Sequence, residues 1–504
     1  MFRSRALARL SLALAVLPAA CGDVRTAWSV RFADPVLALS AKQVEATIVE
    51  GGCDPSARVV YRAHKGEASM PSPALAPGRY GFRARASDAE CRWFAAGCVE
   101  RDLPTDDDVV VTLVSQPSAP ACAPAECLTD QGACMERPAA VWLSTSGNDE
   151  TCARGDPTLA CATFDRAYAI AMPGDTVEVE EGDYLNQVLQ NDGRTVPAAS
   201  VVFRPAPDAR VALTSIEIFA SAVEVRDMII DTYVLRGPAD GVIVRNVDAS
   251  SMGISGGRNL SVLGGDVGPS ENAHPIIGKS TEEDPAQDVR IEGVAFHDHS
   301  QTGDIAVVCL QIGGVTRLTI ARSTFRNCAS SGAILIGRFY EAYPSSDVVI
   351  ENNFFYPNTG ASSGEPIGEL QYERSEPGLV ISWNSFAGSG GLSLVAVTDR
   401  RPPATPSAVI RGNAAAAPPQ SQEDGYPDCD SAADYGWNIW DGASCSTTDH
   451  DAPPGFVSLD DLHLSAGSPA IGGAAGAPGF PENDIDGQTR NPAGPLESGA
   501  DEYM

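Results

Sequence analysis

The strongest constraint on this chain is an internal repeat. Val225, Val244, Val262, Ile291, Ile320, Ile350, Ile381 and Ile410 recur at intervals of 19, 18, 29, 29, 30, 31 and 29 residues. Two residues before each stands Val223, Val242, Leu260, Val289, Leu318, Val348, Leu379 or Ala408. Five residues after each stands Ile230, Ala249, Val267, Phe296, Phe325, Phe355, Phe386 or Ala415. Alternation ahead of a corner and a large apolar residue behind it describe two short strands meeting at a tight bend. Asn353, Asn384 and Asn413 fall at that bend, where asparagine tolerates left-handed backbone and its amide can bond along a stack. A second strand column reads at Leu310–Ile312, Ile334–Ile336 and Leu392–Leu394. One such coil cannot bury its own apolar face, whereas coils stacked about 4.8 Å apart can. The pattern predicts an all-β chain whose residues 138–504 form a right-handed parallel β-helix.

The flanks of the repeat are read differently. Phe164, Ala167, Tyr168 and Ala171 follow helical spacing and are stopped by Pro173-Gly174, which predicts a short helix capping the open N-terminal end of the stack. Apolar runs at Val44–Val49, Val59–Tyr61, Arg79–Ala84 and Val109–Val114 predict a small antiparallel β-sandwich over residues 21–115. Residues 116–137 read as a cysteine-rich linker, and the C-terminus as a closing segment of the β-helix.

Residues 1–20 carry Arg3, Arg5 and Arg9, then the apolar run Leu10–Leu17 and Pro18-Ala-Ala20, the layout of a signal peptide. The run is too short to span a bilayer. Cys21 follows two alanines and resembles the lipidated cysteine of a bacterial lipobox. The resemblance implies a lipoprotein of the outer membrane or cell surface, held to the membrane only through its N-terminal lipid and otherwise monomeric. An ordinary secretory signal beside a structural cysteine is the other reading. Setting Cys21 aside leaves twelve of the thirteen cysteines, an even number in an exported chain. Spacing suggests Cys152 with Cys161, Cys309 with Cys328, and Cys429 with Cys445. Cys53, Cys91, Cys98, Cys122, Cys127 and Cys134 leave their connectivity open. Paired CxxC spacing is absent, which favours disulfides over zinc.

The stretches Leu143–Tyr184, containing Ser144-Thr-Ser-Gly-Asn-Asp149 and Pro173-Gly-Asp-Thr-Val177, and Leu464–Tyr503, containing Gly467-Ser-Pro-Ala-Ile471 and Asp484-Ile-Asp-Gly487, resemble bacterial surface proteins of the pectate-lyase-like β-helix superfamily. That resemblance implies the fold and a polysaccharide partner. It leaves activity open, because such folds include lyases, hydrolases and non-enzymatic adhesins. Asp484-Ile-Asp-Gly487 reads first as a capping turn of the last coil, with calcium held through the Asp484 and Asp486 carboxylates as the alternative; no other cofactor is implied.

Chemistry on a stack of coils is sought in columns of side chains. Six residues after the repeat positions stand His297, Arg326 and Tyr356, and two further on His299, Cys328 and Asn358. In extended backbone His297 and His299 share a side, and with Arg326 they could hold a sugar acid and move a proton. Lys279, the only lysine of the β-helix, sits in an insertion with His274, Glu282, Glu283 and Asp284. The lyases of the superfamily imply a basic residue of this kind as the proton acceptor. Asp248 and Asp266 stand four residues after consecutive repeat positions, so they should lie about 5 Å apart, a spacing that suits a carboxylate pair of a retaining glycosidase. Arg290, Arg317, Arg322, Arg326 and Arg338 could supply a basic patch for a polyuronate. Against that stands a formal charge of −31, which repels polyanions and excludes nucleic acid as a general partner. A polysaccharide binder or scaffold, a polysaccharide lyase or glycoside hydrolase, and a bare adhesin or stalk all fit these residues.

Overall fold

The computed structural model describes residues 26, 28–34, 37–38, 41, 43–54, 58–64, 75–87, 92–105, 109–120, 122, 126–128, 134–196, 199–271, 275–278, 285–300, 307–328, 332–337, 345–358, 369–373, 377–388, 392–397, 408–421, 429–490 and 496–503. The leader, Cys21, Cys91, Arg338 and the Lys279 loop with His274 and Glu282–Asp284 lie outside the described residues. The chain divides into two compact units, residues 1–138 and 139–504.

In the first unit, β1 (Trp28–Phe32), β2 (Gln43–Glu50), β3 (Val59–His64), β4 (Gly78–Ser87), β5 (Arg92–Leu103) and β6 (Val109–Pro120) form one sheet in the order β1-β6-β5-β4-β2-β3. Only the β1–β6 pair is parallel. A flat sheet of six strands would hold its edges about 24 Å apart at ordinary strand spacing. Yet Trp28 on one edge and Tyr61 on the other bring their rings to 6.3 Å, and Trp28 also meets Phe82 at 5.6 Å. The sheet therefore rolls over a common core of Ile48, Phe82, Val109, Val111 and Leu113, all fully buried. The sandwich-like core expected here is built by one continuous sheet. Disulfides tie Cys53 to Cys98 and Cys122 to Cys134.

The second unit is the parallel β-helix. The eight repeat positions from Val225 to Ile410 pair directly with one another in unbroken register. The ladder continues to Phe203, Val177 and Val141 on one side and Tyr435 on the other. Inside, Phe296, Phe325, Phe355 and Phe386 stack face to face at 5.0, 4.9 and 4.6 Å. Beside them runs the amide ladder: Asn353 Nδ2 donates to Asn384 Oδ1, Asn384 Nδ2 to Asn413 Oδ1, and Asn413 Nδ2 to Asn438 Oδ1, at 2.9, 3.1 and 2.9 Å. Asn438 ends on Asp449 Oδ1. The left-handed corner expected at these asparagines lies one residue earlier, at Asn352, Trp383, Gly412 and Trp437, with φ of 54°, 50°, 64° and 58°. The ladder asparagine must face inward to reach its neighbours, so the preceding residue takes the turn. The second strand column also differs. Leu310–Ile312 and Ile334–Ile336 are followed by Leu370–Tyr372 and Leu394–Ala396, so Leu392 precedes its strand.

Helix α1 (Phe164–Ile170) buries the expected face of Phe164, Ala167 and Tyr168. Its start is fixed by Asp149, whose carboxylate accepts from the amides of Ala162 and Thr163 and from the Thr163 hydroxyl. Disulfides join Cys152 to Cys161, Cys309 to Cys328 and Cys429 to Cys445.

The C-terminal segment folds back over the flank of the preceding coils. Leu462, Ala500 and Phe456 cover Phe354, and Ala474, Ala477 and Leu496 cover Trp383. Arg490, 1% exposed, donates to Asn352 Oδ1 at 3.0 Å and to the Gly499 carbonyl at 2.9 Å. Asn352 in turn donates to the Asn483 carbonyl. The Asp484–Gly487 turn therefore reaches back to the Asn352 and Arg322 coils. Asp484 is fully buried and accepts from the Gln488 and Glu502 amides, while Asp486 faces His463. The two carboxylates of the calcium alternative are directed to different partners.

Candidate functional site

The strand that follows the bend turns alternate residues outward, because side chains alternate along extended backbone. One outward column runs Asp183, Ala212, Ile229, Asp248, Asp266, Ala295 and Thr324 across successive coils. A parallel column carries Asp231, Ser250, His297, Arg326 and Tyr356. Together they form one open face, which ends where the folded-back segment covers Phe354.

Asp248 and Asp266 stand directly opposite each other in register, as the repeat required. They are not equivalent. Asp266 contacts Nε2 of His297, whose Nδ1 faces Asp298 Oδ2 at 2.7 Å. With a carboxylate beside each ring nitrogen, the protonated form of His297 is favoured. Burial pushes its pKa down, but the hydrogen bond to Asp298 and the charge of Asp266 outweigh this and raise it. Asp298 is held below the usual carboxylate range, first by the Asn327 amide at 2.8 Å and then by His297. An imidazolium locked between two carboxylates is a poor proton acceptor. Gly268 completes this corner: with φ at 145°, a Cβ there would lie 1.9 Å from the His297 carbonyl oxygen. Only glycine lets the coils close at this point.

His299 does not join His297. It is 1% exposed, and its Nε2–H donates to the Val267 carbonyl at 3.2 Å. The cause is Asp298, whose φ of 54° turns the chain between the two histidines and breaks the alternation that extended backbone would give. Arg326 lies in register beside His297, stacked over the Tyr356 ring at 4.0 Å and donating to the Asp460 carbonyl at 3.3 Å. It is thereby fixed as a cation–π partner rather than left as a proton acceptor. The expected basic patch does not form. Arg290 and Arg322 both pair with Glu292, and Arg317 pairs with Asp288 at 2.6 Å. Arg290 and Arg322 thus share one carboxylate, while Arg317 is paired separately on Asp288.

The concavity on this face lies one coil beyond Asp266. It is an open depression of about 410 Å³, lined by Asp183, Ile229, Asp231, Asp248 and Ser250 among others. Ile229, 40% exposed, forms an apolar floor, and the aspartates stand around it. Among the described residues its lining holds no lysine or arginine, but Asp183 is paired with Arg210 at 3.2 Å. Carboxylates and a hydroxyl above an apolar floor can accept hydrogen bonds from a hydroxylated ligand lying on the strands. Asp231 and Ile229 were legible from the repeat, standing six and four residues after Val225. Asp183 was hidden because its coil carries two extra residues between the strands.

No family model matches the sequence, and no curated protein matches it. Among solved structures the chain is similar to pectate lyase Pel9A, with 12% identity and a TM-score of 0.39 over 73% of this chain and 98% of that one. It is also similar to a rhamnogalacturonan lyase, with 11% identity and a TM-score of 0.31 over 64% and 91%. The fold itself stands on the pairing register: the chain carries a parallel β-helix.

Proposed function

We propose that this is an exported surface protein, lipid-anchored through Cys21, that holds a neutral polysaccharide along the outward face from Asp183 to Tyr356 without cleaving it. The observation that carries this reading is the lining of the depression, where Asp231 and Asp248 stand beside the apolar Ile229, and Asp183 is paired with Arg210 at 3.2 Å. A polyuronate entering it would meet a lining of net negative charge, whereas a neutral glycan brings hydroxyl donors to match the carboxylates. The disulfides support export to an oxidising compartment. Among the described residues no helix is long and apolar enough to cross a membrane.

The catalytic alternative draws on His297, His299, Arg326 and Lys279. His297 and Arg326 are committed to aspartates or to Tyr356, His299 is buried, and Lys279 lies outside the described residues. Hydrolysis by Asp248 and Asp266 would need both carboxylates free, and Asp266 is paired with His297. The test incubates the mature chain with neutral and acidic polysaccharides, with and without calcium, and assays unsaturated uronates and reducing ends. The binding reading expects retention on neutral polymer and no product. Unsaturated product lost in Lys279→Ala would establish a lyase, and new reducing ends lost in Asp248→Asn would establish a hydrolase.

A further inference from the structure

We propose that the folded-back C-terminal segment is a pH-sensitive latch, closed over Phe354 and Trp383 by a proton held between Glu497 and Glu502 and loosened when that proton leaves to solvent.

The geometry behind this is an imbalance of buried charge. Arg490, 1% exposed, has four carboxyl groups about it, those of Asp484, Glu497, Asp501 and Glu502. Of these, Asp484, Glu497 and Asp501 are themselves 0%, 2% and 5% exposed. One guanidinium cannot balance four carboxylates out of water, and an uncompensated buried carboxylate takes up a proton instead. The other charged neighbours do not close the gap. His463 faces Asp501 but is already shared between Asp461 and Asp486. On the underlying coil Arg490 meets a further carboxyl, Glu351, which also faces Arg290.

The hydrogen bonds place the proton. Asp484 accepts from the Gln488 and Glu502 amides, Asp501 from the Leu464 amide, and Glu502 from Arg490 Nη1 at 3.3 Å. Glu497 has only its own amide and the Glu502 carboxyl, and its Oε2 is buried without a hydrogen-bond partner. An orphaned oxygen is tolerable on a neutral carboxylic acid and costly on a carboxylate. Two carboxyl groups in contact do not both ionise readily, so Glu497 keeps the proton and donates it to Glu502. Burial first, and then Glu502, push Glu497 up to about 8.

The closed segment therefore keeps this proton up to about pH 8, whereas an opened one gives it up near pH 4.5. Closure is unaffected below about pH 4.5 and weakens as pH rises from there to about 8, by up to about tenfold in the opening equilibrium per pH unit. Leu496 adjoins Glu497 and covers Trp383, and Ala500 stands two residues before Glu502 and covers Phe354. Loosening at this point uncovers both rings at the end of the outward face.

The test is hydrogen exchange of the full chain read by mass spectrometry from about pH 5.5 to 8.5, each rate divided by the intrinsic rate at that pH. Protection of peptides from 484–490 and 496–503 should fall at least tenfold between about pH 5.5 and 7.5, while that of the coil strand Ala286–Glu292 stays constant. Glu497→Gln keeps the shape but cannot ionise, and should hold protection constant across the range. Glu502→Gln removes the neighbouring charge and should move the fall to lower pH. Both variants are checked for native circular dichroism, and the wild-type series decides even where one of them disturbs folding. The proposal is overturned by wild-type protection that does not change with pH, by a fall that persists unshifted in both variants, or by an equal fall in the coil strand.

Discussion

At the scale of single residues, His297 and Asn384 carry the sharpest consequences. His297 has a folded pKa raised above its unfolded value of about 6.5, so its ion pairs stabilise fully below that pH and fade as pH rises through the folded value. Asp298 is shifted down, so its share is lost only as pH falls below about 3.8. The window of full effect therefore runs from about pH 4 to 6.5. His297→Gln should lower stability by about 1 kcal/mol at pH 5.5 and by less at pH 9, read as the gap between urea midpoints. An equal gap at both pH values would show that the ring is neutral in the fold. Asn384 accepts from the Asn353 amide and side chain and donates to Asn413. Its replacement by alanine leaves buried donors without partners and should cost about 3 kcal/mol.

At the scale of elements, the stacked phenylalanines and the coil disulfides decide how firmly the helix holds. Phe325 is fully buried between two rings, so Phe325→Ala should cost about 4 kcal/mol by urea unfolding. Replacing Cys309 and Cys328 together by serine opens a loop of 19 residues and should cost about 3 kcal/mol. These columns were legible because a stacked coil repeats its inward residues at fixed offsets, and a sequence can be aligned on that period alone. Helix α1 was legible for the same reason, its apolar spacing being local. The folded-back segment has no period. Its anchors join Arg490 to Asn352 and Asp501 to Leu464, contacts between distant positions that no local pattern announces. The bend was misplaced by one residue because Trp383 and Trp437 take left-handed backbone that their residue type does not advertise. His299 was misplaced because a single turn at Asp298 defeated the alternation rule.

At the scale of the whole molecule, 66 acidic residues stand against 35 basic ones, and Arg326, the arginine of the candidate face, is stacked on Tyr356. The column arithmetic found Asp248, Asp266, His297 and Arg326 on one face, but chemistry there depends on which partners each has taken, and those come from neighbouring coils and the returning C-terminus. Binding of a neutral polysaccharide on the Asp183–Asp248 depression is open to direct measurement. The most direct measurement is affinity electrophoresis of the full mature chain through gels containing neutral polymers or a polyuronate, comparing wild type with Asp231→Asn/Asp248→Asn and with Ile229→Arg. A neutral polymer should retard the wild-type chain and the polyuronate should not, with the retardation reduced at least tenfold in both variants. Retardation by the polyuronate alone, or retardation by a neutral polymer that both variants keep in full, would contradict that binding.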